Sequence, residues 1–95
     1  MLQLTGLKKI NDKNVYVKDS QVGVNIYLTL KGKVQLDIFY FDNNQEVARE
    51  FIEVDRSSLS FDNTITDPYN QLVESIENLL IQSYFIGDCS AVRII

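Results

Sequence analysis

Between Val22 and Phe41 the chain alternates apolar and polar residues on both sides of a Lys31-Gly32 pair, a pattern that few folds accommodate. Val22, Val24, Ile26, Leu28 and Leu30 fall on one face of an extended segment, with Gly23, Asn25, Tyr27 and Thr29 on the other. After the break, Val34, Leu36, Ile38 and Tyr40 face one way and Gln35, Asp37, Phe39 and Phe41 the other. The two runs read as arms of a hairpin, with Gly32 supplying the positive φ that a tight turn needs. A lone hairpin is marginal in water, so other elements must cover its apolar face.

The remaining segments supply that cover. Leu2, Leu4 and Gly6 alternate with Gln3, Thr5 and Leu7, which predicts a strand over residues 2–9. Asn11-Asp12-Lys13-Asn14 reads as a turn, Val15-Tyr16-Val17 as a short strand and Lys18-Asp19-Ser20-Gln21 as a second turn. Asp42-Asn43-Asn44-Gln45 turns into a strand over residues 46–54, where Glu50 interrupts the face of Ala48, Ile52 and Val54. An edge strand, or one covered on both sides, shows such a break. Residues 55–66 read as a loop anchored by Leu59, Phe61 and Ile65.

A helix follows with an explicit start, Asp67 as N-cap and Pro68 at the first helical position. Tyr69, Leu72, Val73, Ile76, Leu79 and Leu80 then form an apolar stripe, leaving Gln71, Glu74, Ser75, Glu77 and Asn78 toward water. The helix, near residues 67–85, ends before Gly87, and Cys89 to Ile95 reads as a last strand. The expected architecture is one α+β domain over residues 1–95. It has a mainly antiparallel sheet of about five or six strands, open or curled into a small barrel or sandwich, and one amphipathic helix.

Several chemistries lack their residues. The chain has no histidine, which removes the usual imidazole base and metal ligand, and its single cysteine, Cys89, has no disulfide partner. Cys89 reads as a small buried hydrophobe, because no lysine stands near it in sequence to favour a thiolate. Asp42 to Glu53 has some of the oxygen spacing of a calcium loop, but Val47 occupies the position that needs glycine, so a hairpin turn is the reading. No cofactor or metal site is expected. Glu74 and Glu77 lie three apart on the polar side of the helix and read as solvated. Phe39, Tyr40 and Phe41 read as a central strand buried on both faces. Flanking Asp37 and Asp42 make a base-stacking surface unsuitable, and a protein interface is the remaining use for such rings. Met1 to Lys9 does not read as a signal peptide, and no apolar run spans a bilayer, so a cytoplasmic or virion setting is expected.

Charge is unevenly distributed. Residues 1–33 hold all six lysines against two aspartates, and residues 34–95 hold three arginines against eleven carboxylates, within a net charge of −4. In an up-and-down meander the turn flanked by Lys8, Lys9 and Lys13 would share an end of the sheet with the turn flanked by Lys31 and Lys33. Asp42 and Glu46 would then lie at the other end. Ile94 and Ile95 are apolar residues that need cover. Lys8, Lys9, Lys13, Lys31, Lys33, Asp42, Glu46, Ile94 and Ile95 are therefore the candidate interface residues. Solvated lysines on loop tips are the plainer reading of the same residues.

Together these features point to a non-enzymatic structural or assembly module, a homo-oligomer or a component of a larger particle, with protein partners and neither nucleic acid nor membrane. The high count of residues with AT-rich codons (ten isoleucines and eight asparagines among them) suggests an AT-rich bacterial or phage genome. With the small size, missing catalytic groups, apolar ends and charge polarity, it leads to the expectation of a small structural protein of a tailed phage or prophage. The competing reading is a small acidic inhibitor whose Asp55, Asp62, Asp67, Glu74 and Glu77 imitate nucleic-acid phosphates, which requires those acids to form one patch.

Overall fold

Alternation along the hairpin is realised as two long paired strands, and the rest of the chain is built around them. The computed structural model describes residues 1–10, 15–61, 64 and 66–94. Among these, β1 (Leu2–Lys9), β2 (Tyr16–Lys18), β3 (Gln21–Leu28), β4 (Lys33–Asp42), β5 (Gln45–Asp55) and β6 (Cys89–Arg93) form one antiparallel sheet, curled toward a barrel. A helix, α1 (Pro68–Leu79), fills its concave side with Ile76. The α+β architecture is therefore as expected, and among the described residues no helix is long and apolar enough to cross a membrane.

β1 has three partners and only two edges. Residues 2–6 pair with β6, from Leu2 with Arg93 to Gly6 with Cys89, so β3, which takes Leu2 and Gln3, must lie on the opposite edge. β2 takes Leu7, Lys8 and Lys9. The Leu4 N–H donates to the Ser20 carbonyl and the Asp19 N–H to the Gly6 carbonyl, so β2 and β3 follow one another along a single edge. They are two halves of one strand split by a bulge, at which the register shifts by one residue. The expected turn at residues 18–21 is thus a bulge, in which Asp19 takes φ 49° and its carboxylate accepts the Gly6 N–H at 2.9 Å. Gly6 itself has φ 98°, and a Cβ there would run into the Asp88 carbonyl.

The core lies where the even-numbered faces meet the helix. Leu2, Leu4, Val22, Leu36, Ile38, Tyr40, Ile76, Leu80 and Phe85 are sealed from solvent, and each buried aliphatic contributes about 1.5–3 kcal/mol. β3 stops at Leu28, earlier than alternation predicts. Leu28 is exposed and Leu30 stands at 107% in the turn, where the Thr29 N–H donates to the Lys33 carbonyl. Asn43 and Asn44 both take positive φ, making the β4–β5 connection a tight hairpin turn. A short 3-10 turn (Arg56–Ser58) follows β5, with Leu59 half-buried and Phe61 exposed beyond it. The expected turn at residues 11–14 and the anchor Ile65 lie outside the described residues.

The helix begins as its sequence dictates, with the Asp67 carboxylate accepting the Tyr69 N–H and Pro68 at its start. Its last turn widens over Leu80–Tyr84, where the Phe85 N–H reaches back five residues to the Leu80 carbonyl. Phe85 then lies edge-on to Tyr40 at 6.4 Å and to Tyr84 at 5.2 Å. Gly87 has φ 81°. β6 returns the chain to β1, and the Ile94 N–H donates to the Met1 carbonyl, so the protein's own sheet ties down this segment. Ile95 lies outside the described residues.

Candidate functional site

Because β-strand side chains alternate, the face of β3, β4 and β5 that points away from the helix carries Gly23, Asn25 and Tyr27, then Asp37, Phe39 and Phe41, then Arg49 and Phe51. Register sets three of these in one row, Asn25 beside Asp37 beside Phe51. A bulge after Tyr40 leaves Val47 unpaired and brings Glu46 within reach of Arg49. Phe51 is 65% exposed, and Tyr27 and Val47 are each about half exposed.

Arg49 is fixed by three neighbours. Its guanidinium carbon sits 4.2 Å above the Phe39 ring, one nitrogen donates to Glu46 Oε1 at 2.8 Å, and another lies 3.8 Å from Asp37 Oδ2. Asp37 is only 4% exposed although it lies on the outer face, and its Oδ1 has no hydrogen-bond partner among the described residues. Arg49 remains nearly half exposed. Its ionisation is held up by the hydrogen bond to Glu46 and by the nearby carboxylates, so it is a permanent cation among aromatic rings. Protein interfaces are enriched in just these residue types, Tyr, Phe and Arg. The sequence places Phe39 and Phe41 in a strand buried on both faces. Instead they are half-buried, because nothing in the described residues packs over this side of the sheet as α1 packs over the other.

Among the described residues, no strand pairs the edge of β3 beyond Val22. β1 reaches only Gln21 and Val22, so residues 23–28 are paired with β4 alone. A cavity of about 830 Å³ runs beside that edge, bounded across from it by Tyr69, Leu72, Val73 and Ile76 of α1.

A second group of polar residues lies inside the core. Glu50, 3% exposed, accepts a hydrogen bond from the Tyr40 hydroxyl, and its Oε2 has no hydrogen-bond partner among the described residues. Burial, and then the Glu50 carboxylate, push the ionisation of Tyr40 and of Tyr84 well above the ordinary tyrosine range. Lys8 Nζ caps the other side of this group, 4.2 Å above the Tyr84 ring. Glu50, which interrupts the apolar face of β5 in the sequence, is thus an inward residue with a dedicated partner. Cys89 is buried as expected, and burial pushes its thiol up. Lys8 does come close and opposes that shift, a neighbour that sequence distance conceals.

The charged candidates are distributed differently from the sequence expectation. Since β2 continues into β3 without reversing, the reversal between Lys9 and Tyr16 and the one between Leu28 and Lys33 are successive and fall at opposite ends of the sheet. Lys8 and Lys9 lie opposite Val17 and Tyr16, and the Asp42–Glu46 hairpin lies beside Gln21, toward that same end. The arm must run the whole of β3 before it reaches Lys31 and Lys33. The basic turns do not meet, and Lys33 is paired with Asp55. Lys13 lies outside the described residues.

Several of the acids already have partners among the described residues. Glu77 was expected in solvent but is 7% exposed. It accepts from Arg93 Nε at 2.8 Å and from the Met1 amine at 2.8 Å, because β6 passes under the helix at that turn. Ser75 beside it is also buried, donating to the Leu72 carbonyl. Asp55 is neutralised by Lys33 and Asp67 caps the helix, while Asp62 lies outside the described residues.

Searches against protein-family models, curated proteins and solved structures return no match to this chain.

Proposed function

We propose that this chain is a non-enzymatic assembly module that associates with copies of itself through the outer face of β3, β4 and β5. The observation that carries this reading is the patch of Tyr27, Val47 and Phe51 left uncovered around a fixed Arg49. Each of those rings and branched side chains gains apolar burial on association, and Arg49 loses little conformational freedom because its neighbours already hold it. Self-association through one patch is isologous, so a two-fold dimer is the basic unit, and other surfaces extend it where the chain serves in a larger particle. The setting we propose, a particle of a tailed phage or prophage, is supported by the small size, the charge polarity along the sequence and the AT-rich composition.

This contact is mainly apolar, so it differs in one measurable respect from the pairing of basic and acidic ends suggested by charge alone. An apolar interface persists at high salt, whereas an electrostatic one weakens as screening shortens to a few ångströms. Sedimentation across a concentration series at low and high salt tests it. Association at both salts is expected; a monomer throughout contradicts it.

A further inference from the structure

Val24, Ile26 and Leu28 carry backbone groups that no strand among the described residues pairs. Even-numbered residues of this arm point their N–H and C=O groups toward β1, as the bond from the Leu4 N–H to the Ser20 carbonyl and the Leu2–Val22 pair show. Odd-numbered residues point toward β4, as Thr29 does when its N–H donates to the Lys33 carbonyl. β1 ends at Leu2, so from Val24 onward the even residues face the cavity. A row of donors and acceptors on alternate residues is matched by one thing, the backbone of another extended segment.

We propose that this edge is a docking site for an extended segment of another protein, which adds to the sheet antiparallel to β3 and in line with β1. Three observations narrow the occupant. α1 bounds the far side through Tyr69, Leu72 and Val73, so an occupant must enter between the β3 edge and the helix, whereas the edge of a second copy brings its whole sheet with it. Among the described residues the lining carries two charged groups, the Glu77 carboxylate and the Met1 amine, and they are bonded to each other, with Arg93 also on Glu77, so the matching segment is uncharged where it lies. Apolar side chains bound both faces of the edge, Val24, Ile26 and Leu72 on the helix side and Phe39 and Phe41 on the outer side. Gly23 adds no side chain in front of those rings. The segment therefore carries apolar or small residues at successive positions. This site rests on unpaired backbone along β3 and stands independently of the outer-face contact proposed above.

Amide hydrogen exchange read by NMR tests it, with an acetylated and amidated heptapeptide of alternating valine and threonine as the probe. In the free protein the amides of Val24, Ile26 and Leu28 exchange fast, while those of Gly23, Asn25 and Tyr27 are protected by β4. Millimolar peptide is expected to slow the three even-numbered amides by at least about tenfold. The same peptide N-methylated on the amides of one edge loses the effect, and N-methylation on the other edge leaves it intact. The Phe51→Asp protein is expected to bind the peptide equally, which separates this site from self-association. No slowing with the unmethylated peptide overturns the proposal. So does slowing produced by raising the protein concentration alone, which would make a second copy the occupant.

Discussion

The Tyr40 hydroxyl donates to the Glu50 carboxylate across two neighbouring strands, in a core whose other inward residues on β4 are Val34, Leu36 and Ile38. A carboxylate at that depth is tolerated because it is hydrogen-bonded, and the bond is charge-assisted. The pair therefore specifies how β4 and β5 sit against the last turn of the helix, where Tyr84 and Phe85 close over it.

Removing one partner is expected to cost more than removing both. Tyr40→Phe leaves Glu50 buried without its donor and is predicted to destabilise the fold by roughly 1–3 kcal/mol. Tyr40→Phe combined with Glu50→Leu is predicted to recover part of that loss, because no unpaired carboxylate remains. Urea unfolding of the two single variants and the double variant measures the coupling.

High pH provides a second handle on the same group. Tyr40 and Tyr84 ionise in the unfolded chain near pH 10, their ordinary value, but are held protonated in the native state by burial and by Glu50. The native state therefore binds more protons there, and stability falls as pH rises. It is insensitive to these groups below about pH 9 and declines above about pH 10, by up to about 1.4 kcal/mol per pH unit for each tyrosine. Tyr40→Phe removes one of the two contributions, so its stability is predicted to decline less steeply. Denaturation midpoints between pH 8 and 11 (about the range that brackets the ordinary tyrosine value) check the slope.

Gly6 is predicted to be the least replaceable glycine. Alanine there meets both a left-handed φ and the Asp88 carbonyl, whereas at Gly87 the space is open and only the backbone conformation resists. Gly6→Ala is expected to cost at least about 2 kcal/mol and Gly87→Ala about 1 kcal/mol. Comparison of thermal midpoints separates the two.

Two glutamates three residues apart on α1 are predicted to behave differently. Glu77 is buried and joins the helix to Arg93 of β6, so Glu77→Ala is expected to lose roughly 1–3 kcal/mol by stranding the guanidinium and the packing around it. Glu74 contributes its carbonyl to Arg93 through the backbone, which substitution leaves in place, and Glu74→Ala is expected within about 0.5 kcal/mol of the parent. Chemical denaturation of both variants is the measurement.

Local periodicity carried much of the architecture. The alternation from Val22 to Phe41, the Asp67-Pro68 helix start and the return strand at Cys89 all correspond to observed elements. What remained hidden depends on long-range register. Asp19 and Ser20 look like a turn because Asp and Ser favour turns, yet hydrogen bonds to the β1 backbone opposite them carry the chain onward through a bulge without reversing it. That one reversal fewer is why the basic turns separate. Glu77 has the spacing of a solvent-facing residue, and only the arrival of Arg93 from β6 makes its burial favourable. The outer patch was half legible. Alternation places Phe39 beside Phe41, but which face α1 covers is decided by packing and not by the strand's own pattern. Sequence order also conceals the meeting of Phe39, Arg49 and Phe51 across two strands, although an alternating pattern on β5 around Arg49 hints at it.

Side-by-side sedimentation of the parent chain and the Phe51→Asp variant at high salt tests the assembly reading most directly. Phe51 is solvent-exposed in the single chain but lies opposite Asp37, so its replacement by a second carboxylate should cost about 1 kcal/mol and leave the fold in place, while burying a charge in any contact made through this face. The account predicts that the parent associates with rising concentration and the variant stays monomeric. A parent that remains monomeric, or a variant that associates as strongly as the parent, would contradict it.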